Sequence, residues 1–208
     1  MPVVNNRLTV MSIALFAACS ISSAADKEPH FSAGSASSYP TRQTSEKVTI
    51  AAVPYYGEER VHLAFGKLDP NRYGILPVLI VIQNDGAKTL RLDTMRVEYV
   101  TSDRQHVDAT AAKDVPYLAG AREPRMTPAP IPGTGSRIKH PKNPLANGSI
   151  DVRAFSARML PPGDQASGFF YFQTSYRPGS RAYLTGIQEA GTGKELLYFE
   201  IPLSNDGP

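Results

Sequence analysis

Apolar and polar positions along this chain fall into short runs, not into long helical stripes. The clearest run, Val78-Leu79-Ile80-Val81-Ile82, is apolar at every residue and predicts a central strand covered on both faces. Similar β-branched and aromatic runs predict strands at 48–53, 60–65, 76–83, 90–101, 105–112, 167–174, 182–189 and 195–203. Across 90–101 the alternation of apolar and polar residues is imperfect, which predicts a bulge or register change near Thr94. Turn chemistry separates the runs. Asn84-Asp85-Gly86 predicts a hairpin between two strands, Gly191-Thr192-Gly193 a turn between the last two, and Pro161-Pro162-Gly163-Asp164 a sharp turn with the glycine left-handed. One helix is expected: Ser149 serves as N-cap with Asp151 in the first turn. Val152, Phe155, Ser156, Met159 and Leu160 then recur at helical spacing until Pro161 forbids continuation. The expected fold class is all-β, an antiparallel β-sandwich of about eight strands with one short helix and a long Pro-rich loop.

The N-terminal pattern is of another kind. Arg7 is the sole charge before Asp26, and the apolar stretch from Leu8 to Ala18 has signal-peptide length, too short to span a bilayer. It ends at Cys19, the single cysteine in the chain. Residues 1–25 are therefore read as an export signal with two competing cleavages, before Cys19 or after Ala25, where Ser23-Ala24-Ala25 offers small residues. Residues 26–46, rich in Ser, Ala and Gly around Ser32-Ala33-Gly34-Ser35-Ala36-Ser37-Ser38, are expected to form a tether, and 47–208 the sandwich domain. With Cys19 acylated or removed, no thiol remains, so the domain must be held by its hydrophobic core without a disulfide.

Three fragments carry resemblances. Phe16-Ala17-Ala18-Cys19 resembles the lipobox of bacterial lipoproteins, with Phe16 where that family prefers Leu; the resemblance implies that Cys19 is the lipid attachment site and, in a host with an outer membrane, that Ser20 favours that membrane over the inner one. The segment 76–83 followed by Asn84-Asp85-Gly86 and Leu90-Arg91-Leu92 resembles the strand-turn-strand of immunoglobulin-like domains in bacterial envelope proteins. Leu160-Pro161-Pro162-Gly163 followed by Gly168-Phe169-Phe170-Tyr171-Phe172 resembles a turn-then-strand of bacterial envelope lipoproteins. These imply an immunoglobulin-like fold and an envelope location, not an activity.

Charge and chemistry narrow the function by elimination. The net charge of +3 is no nucleic-acid footprint, but it is unevenly placed. Segment 113–147 holds Lys113, Arg122, Arg125, Arg137, Lys139 and Lys142 against Asp114 and Glu123, together with seven prolines. It reads either as an extended, polyproline-like excursion over the sandwich or as a basic contact surface. The second reading gives Arg125, Arg137 and Lys139 the task of meeting an acidic envelope protein or an anionic lipid surface. With Tyr117 its one aromatic and no Trp in the chain, a stacking platform for bases or sugars is not expected. Gly191-Thr192-Gly193-Lys194 leads into a strand instead of the helix a phosphate loop requires. Gly133-Thr134-Gly135-Ser136-Arg137 lacks the strand and helix of a nucleophile elbow. His30, His62, His106 and His140 share no ligand spacing, and Glu58-Glu59 reads as a solvated turn. No metal, cofactor or nucleic-acid partner is expected. The leading expectation is a non-enzymatic exported protein, in the periplasm or on the outer membrane by its lipid anchor, or at the cell surface, acting in protein binding or envelope assembly. The alternative is an enzyme or small-ligand carrier in which Asp93, Glu98, His106 and Asp108, on neighbouring predicted strands, converge in a pocket.

Overall fold

A computed structural model of the chain describes residues 31–118, 143–146 and 148–204. Eleven strands lie among these residues: β1 (Arg42–Ser45), β2 (Val48–Pro54), β3 (Leu76–Asn84), β4 (Leu90–Arg91), β5 (Arg96–Val100), β6 (His106–Asp108), β7 (Met159–Leu160), β8 (Gln165–Phe172), β9 (Arg181–Thr185), β10 (Gln188–Glu189) and β11 (Phe199–Pro202). The helices are α1 (Glu58–Phe65), α2 (Val115–Leu118) and α3 (Gly148–Arg153). All strand pairings are antiparallel, in the orders β1-β2-β3-β8, β10-β4-β7 and β11-β9-β5-β6. The molecule is thus mostly antiparallel sheet with few helices and no closed barrel.

The expectation of a central, doubly covered strand is met by β3, all of whose residues except Gln83 are buried. Period-2 alternation divides its side chains between two cores. Leu76, Val78, Ile80 and Ile82 face the sheets containing β4, β5, β9 and β11, where Leu90, Val97, Tyr99, Leu184, Phe199 and Ile201 meet them. Leu79 and Val81 face the opposite way, onto Val61, Ala64 and Phe65 of α1, Val115 of α2 and Ile150 of α3. The result is three layers: an outer sheet pair, the β1-β2-β3-β8 sheet in the middle, and a helical layer beyond it. Each fully buried Leu, Ile or Val contributes about 1.5–3 kcal/mol, so a strand with apolar side chains on both faces anchors both cores at once.

Aromatic rings fill the second core. Tyr55 and Phe169 meet edge-on with centroids 4.8 Å apart, Phe65 lies 4.9 Å from Phe169, and Phe31 lies 5.3 Å from it. Burial pushes the Tyr55 phenol up to about 12, and nearby Tyr39 adds to the rise. Burial also raises Tyr171, whose hydroxyl donates to the Ile150 carbonyl at 2.8 Å. In the unfolded chain a phenol ionises near its ordinary value of 10.0, so above that pH the folded state holds more protons than the unfolded one. Stability is therefore expected to be unaffected by these groups below about pH 10 and to fall as pH rises from 10 towards 12. An alkaline titration followed by phenolate absorbance and circular dichroism checks this: two of the ten tyrosines should ionise only as the fold is lost.

Several expected elements differ from the structure, each for a local reason. Residues 60–65 belong to a helix, not a strand. Val61, Ala64 and Phe65 fall at i, i+3 and i+4 and are buried; Glu58 and Glu59 occupy the first turn, where the helix dipole favours acid; Gly66 caps the end with φ of 61°. The expected strand 90–101 is two strands in different sheets, broken at Asp93 and Thr94 where the pattern faltered. The expected helix from Ser149 stops at Arg153 and starts at Gly148, so Ser149 is no N-cap. Beyond it Phe155 N–H donates to Phe169 and Met159–Leu160 pair with β4, pairings that helical φ/ψ would forgo. Eight expected strands become eleven because 60–65 is lost to α1, 90–101 and 182–189 each split, and β1 and β7 are added.

The tether reading also needs correction over the residues described. Between 31 and 46, Ala36 and Tyr39 are buried, Ala36 N–H donates to Gln165 Oε1 at 3.0 Å, and β1 pairs with β2. Small residues here let the chain lie close on the sheet instead of leaving it free. Of the turns, Pro161–Asp164 is formed, with Gly163 at φ 80° and Asp164 N–H donating to the Pro161 carbonyl. Gly193, at φ 71°, closes the turn in which Glu189 and Lys194 are bonded. Asn84-Asp85-Gly86 is not a hairpin: none of the three has positive φ, and β3 pairs with β2 and β8, not β4. The two-residue hairpin is instead Glu46-Lys47, at φ 48° and 63° between β1 and β2. Holding a non-glycine residue in the left-handed region costs about 1–2 kcal/mol, so Lys47→Gly should stabilise the fold by about 0.5–1 kcal/mol after its own chain entropy. A raised urea midpoint with unchanged slope is the expected reading.

Candidate functional site

The outer face of the β11-β9-β5-β6 sheet brings charged and aromatic side chains together. Alternation sets it up. In β5, Val97 and Tyr99 point into the core, leaving Arg96, Glu98 and Val100 on the open side; in β9, Ala182 and Leu184 point inward and Arg181, Tyr183 and Thr185 outward. Register then aligns the rows. Glu98 stands opposite Asp108 of β6 on one side and Tyr183 on the other, and Tyr183 stands opposite Glu200 of β11. Diagonal contacts join the rows: His106 Nδ1 lies 2.5 Å from Glu98 Oε2, and Arg181 Nη1 donates to Glu200 Oε1 at 2.7 Å. The Tyr183 ring lies 6.4 Å from His106 and 5.5 Å from Tyr198.

Of the four residues expected to converge, Glu98, His106 and Asp108 are brought together and Asp93 is not. Asp93 lies in the turn between β4 and β5, where it pairs with Arg91 at 3.3 Å. The three that meet do so on an open sheet and not in a cavity; His106 is 56% exposed and Glu98 27%. Exposed pairs of this kind are worth about 0–1 kcal/mol, and none of the described residues encloses them to exclude water and strengthen a developing charge. Tyr183, Tyr198, Arg181 and Glu200 escaped the sequence reading. The polar-apolar alternation of 181–185 and of 199–202 is the signal that places Arg181, Tyr183 and Glu200, and Tyr198 stands one residue before the second stretch.

Two grooves lie elsewhere on the described surface. One groove of about 510 Å³ runs beside Phe31, Val152, Arg153, Gln165 and Gly168; another, of about 340 Å³, lies among Glu58, His62, Lys67, Asp69 and Arg72. Neither contains any of the four expected residues. In the second, Arg72 bridges Asp69 at 3.1 Å and Glu58 at 3.8 Å. Glu58-Glu59, expected as a solvated turn, is the exposed first turn of α1. A further set of charges ties two turns together: Lys88 and Thr192 both donate to Glu189, holding its carboxyl below the usual range. Lys194, bonded to Glu46 at 2.7 Å, is held above its own. Among the described residues no group of three His, Cys, Asp or Glu is placed to hold a metal ion, and no helix is long and apolar enough to cross a membrane. Cys19, Arg125, Arg137 and Lys139, with most of segment 113–147, lie outside the described residues. Leu118 and Asn143, which flank that basic segment, lie in the helical layer, where Asn143 Nδ2 donates to the Pro116 carbonyl at 2.5 Å.

No protein-family model matches the sequence, and no curated protein matches it. Solved structures that are similar in part include the following two. A candidate lipoprotein of Bacillus subtilis aligns over 78% of this chain at 11% identity with a TM-score of 0.37, and the chain spans only 38% of that protein. A secreted protein of Mycobacterium tuberculosis aligns over 80% of this chain and 95% of its own at 12% identity, with a TM-score of 0.32. Likeness at this level decides neither fold nor activity.

Proposed function

We propose that this chain is a non-enzymatic, exported envelope protein, held to a membrane through Cys19 and binding a protein partner with the open face of the β11-β9-β5-β6 sheet. The observation that carries the reading is the placement of Glu98, His106 and Asp108 with Tyr183 on a flat, solvated sheet. Catalysis needs such groups in a dry, concave site. Recognition needs rigid aromatic and charged side chains on an accessible surface, which strands supply. Export and acylation rest on the apolar stretch before Cys19 and its lipobox resemblance. Strand order supports an immunoglobulin-like assignment: β2, β3 and β8 follow the A-B-E order of that fold, and β11-β9-β5-β6 follows G-F-C with an added C′. The basic segment holding Arg125, Arg137 and Lys139 is proposed as a second contact with an acidic partner.

A photoreactive residue at Tyr183, and a control at exposed Ala87, tests the binding face in intact cells. Discrete crosslinked species from 183, weakened by Glu98→Arg and absent from 87, are expected; equal crosslinking from both positions ends the reading. Metabolic labelling with a fatty-acid analogue tests the anchor, since label equal on wild type and Cys19→Ala, or absent from wild type, would remove it.

A further inference from the structure

We infer that the helical layer is the membrane-facing side of the domain, with Leu63, Tyr117 and Val152 resting on the lipid surface. The inference rests on the lipid-anchor reading above and adds an orientation to it. Three elements cover the same face of the middle sheet: α1 buries Val61, Ala64 and Phe65 there, α2 buries Val115 and α3 buries Ile150. Each presents one large apolar residue on its other side, where Leu63 is 68% exposed, Tyr117 78% and Val152 84%. Exposed apolar residues are ordinary when scattered, but here one stands on each of the three helices that cover a single sheet face. Two aliphatic side chains with a tyrosine, whose ring carries both an apolar body and a polar tip, suit the boundary between headgroups and acyl chains.

What identifies the occupant is where the chain leaves the fold. Phe31 is fixed in the aromatic core, 5.8 Å from Tyr55 and 5.3 Å from Phe169, with the Arg153 guanidinium 5.7 Å above its ring. It shares a groove with Val152, so the path towards Cys19 starts beside the exposed apolar side chains. Phe31 lies twelve positions after Cys19. Even fully extended, that length spans at most about 43 Å, so a bilayer holding Cys19 stays within reach of the helical layer. The opposite side of the molecule, bearing Tyr183, lies two layer spacings further away, about 20 Å. A membrane contact by the helical layer therefore leaves the proposed binding face pointing outward. Tethering also makes a weak contact sufficient, because the anchor keeps the layer at high local concentration near the lipid.

The test uses the acylated chain reconstituted in phosphatidylethanolamine and phosphatidylglycerol vesicles. Environment-sensitive fluorophores are placed at Leu63→Cys, Val152→Cys and, as control, Thr185→Cys. A quencher carried on the lipid should reduce emission at 63 and 152 by about twofold while leaving 185 within about a tenth of its value. Adding Tyr117→Asp should diminish the quenching at both positions. Equal, weak quenching at all three positions on a chain that remains vesicle-bound overturns the inference and leaves the anchor intact. Where wild type carries no fatty-acid label, the anchor reading is the one that fails. The same probes are then read on a chain held to nickel-chelating lipid by a histidine tag ahead of Phe31, with quenching at 63 and 152 supporting the orientation and none overturning it. Burial of 63 and 152 that grows with protein concentration without lipid would give this layer to a second copy, against the proposal.

Discussion

Replacing Gly168 by alanine is expected to destabilise the domain by about 3 kcal/mol or more, the largest effect of any single added methyl group in an ordinary backbone region. A Cβ at this point of β8 would sit 2.4 Å from the Phe155 Cα and 2.6 Å from its amide nitrogen. Both obstacles are main chain, so no side-chain rotation relieves them. The crowding exists because the chain after α3 runs alongside β8, with Ala154 bridging Phe169 in parallel and Phe155 N–H donating to the Phe169 carbonyl at 3.1 Å. Making room separates these segments, breaks that hydrogen bond and disturbs the stacked Phe155 and Phe170 rings, 5.4 Å apart. For a domain of this size the cost corresponds to a drop of about 6–12 °C in Tm. Gly191, which has nothing within 4 Å of its would-be Cβ, is the control; Gly191→Ala should stay within about 0.5 kcal/mol of wild type. Equal Tm values for the two variants would show that the chain after α3 does not press on β8.

The same contact explains much of what the sequence concealed. Residues 152–160 repeat apolar positions at helical spacing, and nothing local says that Ala154 and Phe155 will be taken by β8 and Met159 by β4. Long-range pairing decides against propensity there. Where a pattern was dictated by burial on both sides, reading was direct: Val78 to Ile82 announces the middle sheet because no other position tolerates apolar residues at every step. The faltering alternation near Thr94 was likewise visible, since a strand that changes sheets must change which residues face inward. Residues 60–65 misled because Val61, Leu63 and Phe65 mimic a strand, whereas the burial of Ala64 and exposure of Leu63 follow the helix. The hairpin at Glu46-Lys47 was invisible because it uses left-handed residues that carry a Cβ, while Asn84-Asp85-Gly86 has hairpin composition without the positive φ of a hairpin turn.

The candidate site was legible in pieces. Glu98, His106 and Asp108 could be nominated because 90–101 and 105–112 read as neighbouring strands, and neighbours in a sheet bring such side chains within reach. That the face is open follows from the layer order, and a single sequence does not rank which of two sheets lies outside. Tyr183 joins the group only through the β5–β9 pairing, which links residues far apart in the chain.

Asn84→Ala should rank beside Gly168→Ala, at about 3–4 kcal/mol, because one buried amide holds the corner where three segments meet. Asn84 is fully buried, its Nδ2 donating to the carbonyls of Lys88, Leu160 and Pro161 at 2.9, 3.0 and 3.1 Å, and its Oδ1 accepting from Gly86 N–H at 3.1 Å. Its own backbone is bonded to Gly163 and Asp164, so the side chain locks the end of β3 to both the following bend and the Pro161–Asp164 turn. Alanine removes the donor from the buried Leu160 carbonyl and takes one bond from the part-buried carbonyls of Lys88 and Pro161, the latter keeping Asp164 N–H. The aspartate variant separates this cause from a mere loss of packing. Ionised, it would aim a carboxylate at three carbonyl oxygens, so its folded pKa must rise above the unfolded value of about 3.9. Stability of Asn84→Asp is then retained below about pH 3.9 and lost as pH rises, by up to about 1.4 kcal/mol per unit until the folded pKa is reached. Urea denaturation at pH 3 and pH 7 should show Asn84→Asp no worse than Asn84→Ala at the lower pH and clearly worse at the higher. A gap between the two variants that does not change with pH would mean that the carbonyls are reached by water and that the corner is held by its backbone bonds alone.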